Sequence, residues 1–268
     1  THPDADHYGG MVDLLAGALP DGRNFGIEVD RFWHCGIGRF KDADKLNHRT
    51  RAKALESGLE RVAANHPDDS EATILYSLVL SANFDPADKQ YGNQLRAARL
   101  LEPIFVKQPE HPGAAHYLIH SYDYPPLATQ GLPAAQRYSK IAPAASHAQH
   151  MPSHIFTRVG AWHDSVAANT VSAKVDTASG PNTLHAYDYL TYAHLQLGQD
   201  RAAQAVRDRA VAIGKRPDHF AAAYAYGAIP ARLALERGDW GTASKLPLTP
   251  AADAYPWSKY PQAEASNA

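Results

Sequence analysis

Apolar side chains recur at every third or fourth position along most of the chain, and stretches of strict alternation are few. The segment from Leu184 to Leu197 shows this spacing, which places the apolar residues on one face of a helix. Gly160, Gly198 and Gly238 each stand where one such pattern ends and the next begins. Because glycine readily adopts the left-handed conformation that closes helices, we expect three C-caps at these positions. The pattern therefore predicts an all-α chain.

The same three glycines indicate an internal repeat. Their residue numbers, 160, 198 and 238, differ by 38 and 40. A repeat of this length holds one helical hairpin, which is a helix, a short turn and a second helix. With prolines marking the boundaries, the predicted units cover about residues 67–100, 109–141, 143–180, 181–215 and 217–247.

Three regions are expected along the chain. Residues 1–42 are rich in turn-forming residues and are predicted to be an irregular N-terminal segment. Residues 43–247 are predicted to form the helical repeat domain, which begins with one amphipathic helix over residues 43–64. Residues 248–268 carry several prolines and are predicted to form a C-terminal tail, either a non-helical strap or a loose end.

Two of the predicted turns resemble those of the tetratricopeptide repeat. Residues 195–202 have the sequence Leu-Gln-Leu-Gly-Gln-Asp-Arg-Ala, and residues 235–243 have the sequence Leu-Glu-Arg-Gly-Asp-Trp-Gly-Thr-Ala. The resemblance covers most of residues 67–247 and is weakest where a Tyr-Pro-Pro segment at 124–126 replaces the turn glycine. It implies a right-handed α-solenoid of helical hairpins whose first helices line a concave groove.

Two histidine-rich segments narrow this resemblance. Residues 111–123 have the sequence His-Pro-Gly-Ala-Ala-His-Tyr-Leu-Ile-His-Ser-Tyr-Asp, and residues 150–156 have the sequence His-Met-Pro-Ser-His-Ile-Phe. Paired segments of this kind are similar to those of a bacterial group of tetratricopeptide-repeat proteins that is described mainly by its repeats. The resemblance therefore implies a fold and a bacterial origin, and it implies no particular activity.

Histidines occupy matching positions in consecutive units. Aligning the first helices places the pair His116 and His120 over the pair His150 and His154, with Asp188 at the matching position of the next unit. Residues three or four apart share one helix face, and neighbouring helices pack about 8–10 Å apart. We therefore expect these side chains to converge on one face of the first helices. The expected cluster consists of His116, His120, His147, His150, His154, His185 and Asp188.

This cluster has the chemistry of a transition-metal site. Histidines one helical turn apart present two imidazoles to one metal ion, and a neighbouring helix supplies further ligands. Four imidazoles packed together without a metal would form a poor core, because each brings polar atoms that need partners. The predicted ligands are His116, His120, His150 and His154, with His147, His185 and Asp188 as further candidates.

The number and identity of the metal ions stay open at this point. The cluster is larger than one tetrahedral site needs, so it holds either one ion with supporting residues that orient the ligands or two ions. Imidazole and carboxylate ligands suit copper, zinc, iron or nickel. Asp123 follows the first histidine pair and is a candidate supporting residue.

Composition removes several other classes of function. The chain has 15 histidines but only one cysteine, Cys35, which excludes a multi-cysteine metal site and an internal disulfide framework. The net charge of -2 gives no electrostatic footprint for nucleic acid, and no apolar run is long enough to span a membrane. Phosphate-binding glycine motifs and a nucleophile elbow are absent from the sequence. A chain that starts at Thr1 with one cysteine is compatible with the cytoplasm or, after signal removal, with secretion or the periplasm.

Three functions compete for this cluster. The leading hypothesis is a metalloenzyme, hydrolytic or oxidative, whose open metal position activates water or dioxygen for a small substrate. Its candidate catalytic residues are Asp123, Asp188 and Tyr192. The second hypothesis is a scaffold whose groove binds a peptide or protein partner, with the histidines as recognition or pH-sensing groups. The third is metal storage or delivery without catalysis.

Five other residues carry smaller expectations. Pro152 lies between His150 and His154 and should kink the helix or begin a new one. Asp44 and His48, also one turn apart, are candidates to close the end of the groove. Ser153 has no recognisable base beside it, and Cys35 has a histidine neighbour in sequence only, so neither is favoured as a nucleophile.

Overall fold

The computed structural model describes residues 48–176, 181–214, 216–261 and 263. Within these ranges the chain forms helices joined by turns and contains no strand, which confirms the prediction of an all-α fold. None of the helices in these ranges is both long enough and apolar enough to cross a membrane. The predicted irregular segment 1–42 lies outside the described residues, and so do the first five residues of the helix predicted over 43–64.

The described helices follow one another with short connections. They are α1 (His48–Asn65), α2 (Ser70–Ala82), α3 (Gly92–Lys107), α4 (Pro112–Tyr122), α5 (Leu132–Ile141), α6 (Ser146–His150), α7 (Pro152–Arg158), α8 (Trp162–Val175), α9 (Pro181–Gln196), α10 (Asp200–Val211), α11 (Phe220–Leu235) and α12 (Trp240–Ala243), with short 3₁₀ turns at Ala128–Gly131 and Trp257–Lys259.

The chain divides into two compact units, which meet in sequence at Asn93 and Gln94. In the first unit, α1 packs against α2. In the second unit the helices pair in chain order: α4 packs on α5, α6 and α7 pack on α8, α9 packs on α10, and α11 packs on α12. Because α5 also packs against α7, and α9 against α8 and α11, each of these hairpins contacts the next. All six triad histidines described below lie in the second unit.

Glycine closes three of the helical segments, as the repeat predicts. Gly160, Gly198 and Gly238 have φ values of 74°, 68° and 67°, in the left-handed region. After the first of them, the Ala161 N–H donates to the Phe156 carbonyl over 2.8 Å, and the equivalent bond follows the other two glycines. This pattern satisfies carbonyls that the end of a helix would leave without partners. The three predicted caps are confirmed.

Two prolines in matching positions act differently. Helix α6 ends at His150 and α7 begins at Pro152, so this proline begins a new helix, one of the two predicted outcomes. A proline has no backbone N–H to donate. At the first position of a helix this loses no hydrogen bond, because an N–H there has no acceptor within the helix. Pro230, in contrast, lies inside α11, which continues past it. The proline therefore breaks the helix in the unit that carries His150 and His154 but not in the last unit.

The described part of the C-terminal tail, residues 248–261 and 263, packs on the last hairpins. Tyr255 and Trp257 are buried in one apolar cluster with Leu184 and Ile229. The Trp257 indole N–H donates to the Pro250 carbonyl over 2.9 Å, which satisfies the polar atom of this buried ring. The described residues that follow Pro247 thus pack against the helices, and residues 262 and 264–268 lie outside the described part of the chain.

Candidate metal centre

Six of the predicted histidines form two groups of three. The first triad is His116, His120 and His147, and the second triad is His150, His154 and His185. Within each triad the three ligand nitrogens lie within 4.8 Å of one another, a spacing at which they could hold one metal ion. Among the described residues no carboxylate belongs to either triad.

Each triad combines a histidine pair from one unit with a single histidine from the next. His116 and His120 lie one turn apart on α4, and His147 on α6 completes the first triad. His150 ends α6 and His154 lies in the first turn of α7, while His185 on α9 completes the second triad. The single histidines share the alignment column that lies one turn before the pairs, so the repeat register produces the same arrangement twice.

A tight turn at Gly131 brings α4 and α7 close together. Gly131 ends the 3₁₀ turn Ala128–Gly131, and a Cβ atom placed on it would lie 2.7 Å from the Ile155 Cδ1 atom and 3.1 Å from the Tyr122 Cβ atom. The first distance is shorter than real Cβ atoms show and the second is tight, so any larger residue here would require Ile155 to shift. This close approach lets α4 and α7 present their histidines to a common region.

The first triad has its imidazole nitrogens face to face. The Nε2 atom of His116 lies 3.1 Å from that of His120 and 3.2 Å from that of His147. The buried His116 ring is stacked on Tyr138, with ring centroids 5.1 Å apart. Nitrogens that share one tetrahedral zinc ion lie about 3.3 Å apart, since each sits about 2.0–2.1 Å from the metal. The observed spacing is close to that value.

The second triad is similarly compact. The Nε2 atoms of His150 and His154 are 3.0 Å apart, and the His150 and His185 ring centroids are 4.3 Å apart. Tyr189 contacts this triad as well, because its hydroxyl oxygen lies 3.3 Å from the His154 Nδ1 atom. Burial, together with the carboxylates of Asp123 and Asp188, raises the pKa of Tyr189 well above its usual value. The phenol therefore stays protonated at neutral pH.

Asn169 fixes the orientation and the tautomer of His150. Its Nδ2 atom donates to the Ser165 carbonyl over 2.8 Å, which turns its Oδ1 atom toward the ring. The His150 Nδ1–H then donates to that oxygen over 2.6 Å. The Nε2 atom is left with its lone pair and points at His154. A backbone-anchored partner of this kind is typical of metal-binding histidines.

Asp123 performs the same task for His154. The His154 Nδ1–H donates to the Asp123 Oδ2 atom over 2.9 Å, and Arg158 donates to the other oxygen over 2.7 Å. Burial alone would raise the pKa of Asp123, but His154 and Arg158 outweigh it and hold this pKa at about 2. The carboxylate is therefore ionised at neutral pH and accepts hydrogen bonds only. The sequence-predicted supporting role of Asp123 fits this geometry.

The environment of His150 favours the neutral imidazole. The ring is 1% exposed. Burial lowers the pKa of His150 well below its usual value, and the neighbouring rings of His185, His154 and His147 lower it further. A metal ion binds the neutral form of histidine, so this ring holds the required state before any ion arrives.

The Nε2 atoms of His150 and His154 face each other in the second triad. Both rings donate through Nδ1 to oxygen acceptors, so the neutral form of either ring carries its lone pair on Nε2. These two Nε2 atoms are 3.0 Å apart. Lone pairs at this distance repel unless a proton or a metal ion lies between them. A third ligand nitrogen, from His185, lies in the same group.

Asp188 and Tyr192 belong to neither triad, and both contact Arg232. Asp188 is 2% exposed, and its carboxylate accepts hydrogen bonds from Arg232 over 2.6 and 3.3 Å. The same guanidinium lies over the Tyr192 ring, 4.9 Å from its centroid. Arg232 stands in the next unit at the position that aligns with Tyr192, so it reaches back across the helix interface. The structure thus gives both residues a structural partner.

The remaining candidates lie apart from the triads or outside the described residues. Cys35, Asp44 and the side chain of His48 fall outside them. Ser153 is 0% exposed, which keeps its hydroxyl away from any substrate in solution. His111 accepts a hydrogen bond from the Ala114 N–H over 3.3 Å and so caps the start of α4.

Sequence reasoning did not single out Asn169 or Tyr189. Both reach the site from helices that contribute no histidine pair, and an Asn or a Tyr inside a helix carries no distinctive spacing.

No protein-family model matches the chain, and no curated protein and no solved structure shows significant similarity to it.

Proposed function

We propose that this protein binds two transition-metal ions, one in each histidine triad, in a helical repeat domain of the tetratricopeptide type. The observation that carries the proposal is the pair of Nε2 atoms of His150 and His154, which face each other at 3.0 Å while both rings donate through Nδ1. A metal ion between them accepts both lone pairs, and His185 supplies a third nitrogen.

The ligand count favours a reactive site over a purely structural one. Structural zinc sites have four protein ligands, whereas catalytic sites have three and leave one position for water or substrate. Each triad supplies three imidazoles. A copper, zinc or iron ion bound there would activate water or dioxygen toward a small substrate. The proposed function is therefore that of a metalloenzyme.

The supporting residues agree with this proposal. Asn169 and Asp123 accept the outer N–H groups of His150 and His154, which directs both Nε2 lone pairs into the triad. Such partners raise the basicity of the ligands and fix their orientation. The hairpins that pack in chain order and the three left-handed glycines support the tetratricopeptide-type repeat.

Metal analysis of the untagged chain tests the proposal. The protein is purified without a histidine tag, supplied in turn with zinc, copper or iron, and freed of excess metal before the bound ions are counted. The wild type should retain about two ions per chain of a preferred metal. The double variant His150→Ala, His154→Ala should retain about one, because only the second triad is lost.

An exposed histidine provides the matched control. The side chain of His163 on α8 is exposed to solvent, so His163→Ala should bind the same number of metal ions as the wild type. A wild-type content below about 0.2 ion per chain with all three metals would contradict the proposal. So would equal metal contents in the wild type and the double variant.

A further inference from the structure

We infer that the two triads form one dinuclear centre, whose two ions share a small anionic ligand. This inference rests on the proposed function and concerns the ligand that this site takes. It predicts that the two ions respond together to an added anion such as azide, rather than as two independent sites.

The two triads lie side by side. The ring centroids of His120 and His154, which belong to different triads, are 6.3 Å apart, and those of His147 and His150 are also 6.3 Å apart. An ion bound through Nε2 lies about 3 Å from the centre of its ring. Ions on such neighbouring rings are therefore separated by at most about 12 Å. A shared anion requires a much shorter separation, which is reached when the ligand nitrogens of the two triads face the same gap between the rings.

One short stretch of chain serves both triads. His147 and His150 lie three residues apart on α6, yet the first belongs to one triad and the second to the other. Side chains at this spacing are neighbours on a helix surface, with Cβ atoms about 5–6 Å apart. A movement of α6 would displace ligands of both ions, which couples the two sites mechanically.

Two divalent ions bring a positive charge that no described carboxylate balances as a ligand. Neutral imidazoles leave the charge of each ion unchanged, and none of the described carboxylates belongs to a triad. Asp123 is shared between His154 and Arg158, and Asp188 is paired with Arg232. Among the described residues no carboxylate bridges the two triads, and we assign the shared position to a small anion.

Both triads are partly accessible to solvent. His116 and His150 are buried, whereas His120, His147, His154 and His185 are half-buried. The half-buried rings come from both triads, so each proposed ion has ligands that solvent contacts. A small anion such as hydroxide or azide is therefore a suitable probe of both sites.

Electron paramagnetic resonance of the copper(II)-loaded protein tests this inference. Copper(II) is the probe because each isolated ion gives a countable spin signal, and azide replaces bound water without a change in oxidation state. In the wild type, azide should remove most of the integrated signal, because an anion that bridges two copper(II) ions couples their spins. Metal analysis of the same sample gives the number of ions present.

Two single-site variants form a matched pair of controls. His120→Ala leaves the second triad intact, and His185→Ala leaves the first intact. Each should bind about one copper ion, and azide should alter the shape of its signal without reducing the integrated spin. Circular dichroism of each variant verifies that the helices are retained.

The outcomes separate this inference from the proposal on which it rests. Two bound ions whose full spin count survives azide would overturn the dinuclear centre and leave the two metal sites in place. One bound ion per wild-type chain would overturn the dinuclear centre and the two-ion count of the proposed function, and would leave a single metal site. Protein that binds no copper, zinc or iron would overturn the proposed function and this inference together.

Discussion

At the scale of single residues, the orientation of each imidazole depends on partners that are distant in sequence. Asn169 lies 19 residues after His150, and Asp123 lies 31 residues before His154. The histidine pairs could be predicted from sequence because their spacing matches one helical turn. Their supporting residues could not be identified in the same way, because contacts between helices determine which Asn or Asp reaches a ring. Asp123 was a candidate only because it follows a histidine pair.

Replacing Asn169 should weaken only the second triad. In Asn169→Ala the buried Nδ1–H of His150 loses its acceptor, so the ring is no longer held with Nε2 toward His154. Loss of such a partner typically lowers metal affinity about 10–100-fold. Competition with a coloured chelator would show this decrease for one ion and an unchanged affinity for the other. Asn65→Ala, at an exposed helix end, is the control, and equal affinities in both variants would contradict the assigned role.

Asp188 provides a test of a different kind, because the structure pairs it with Arg232. Asp188→Asn removes the buried carboxylate charge from this pair. Arg232 stays partly exposed, so the free energy of unfolding should fall by about 2 kcal/mol rather than by the larger cost of a fully buried pair. Urea unfolding measures this change, and metal analysis should still count the wild-type number of ions. Loss of one ion would show that Asp188 is a ligand.

At the scale of helices, the turns were the most predictable elements. A left-handed cap needs glycine for steric reasons that act within a few residues, so Gly160, Gly198 and Gly238 could be identified without knowledge of the packing. The effect of a proline was less predictable. Pro152 begins α7, whereas Pro230 stays inside a continuous α11. Which result occurs depends on how neighbouring helices hold the chain.

The cap at Gly198 can be tested by one substitution. A Cβ atom at this position would meet no other atom within 4 Å, so any cost of Gly198→Ala comes from the backbone conformation. With φ at 68°, an alanine should lower the free energy of unfolding by about 1 kcal/mol. Urea unfolding measures the change. Gly214→Ala is matched, because its added Cβ also meets open space and its φ is not positive, and it should not destabilise the chain. Equal stability of the two variants would contradict the cap.

At the scale of the whole molecule, repetition placed similar chemistry in neighbouring units. The alignment predicted that the histidines of consecutive first helices converge, and the structure brings six of them together. It did not predict the division into two triads, because that depends on the offset between packed helices. The seventh member, Asp188, is held by an arginine from the next unit. The function of the chain thus depends on whether both triads hold metal.

Anomalous X-ray diffraction from crystals of the metal-loaded protein is the most direct test of that claim. Data collected above and below the absorption edge of the bound metal should give two anomalous peaks per chain. Each peak should lie about 2 Å from three imidazole nitrogens, one within the triad of His116, His120 and His147 and the other within that of His150, His154 and His185. Crystals of the metal-loaded protein without an anomalous peak at either triad would contradict the account.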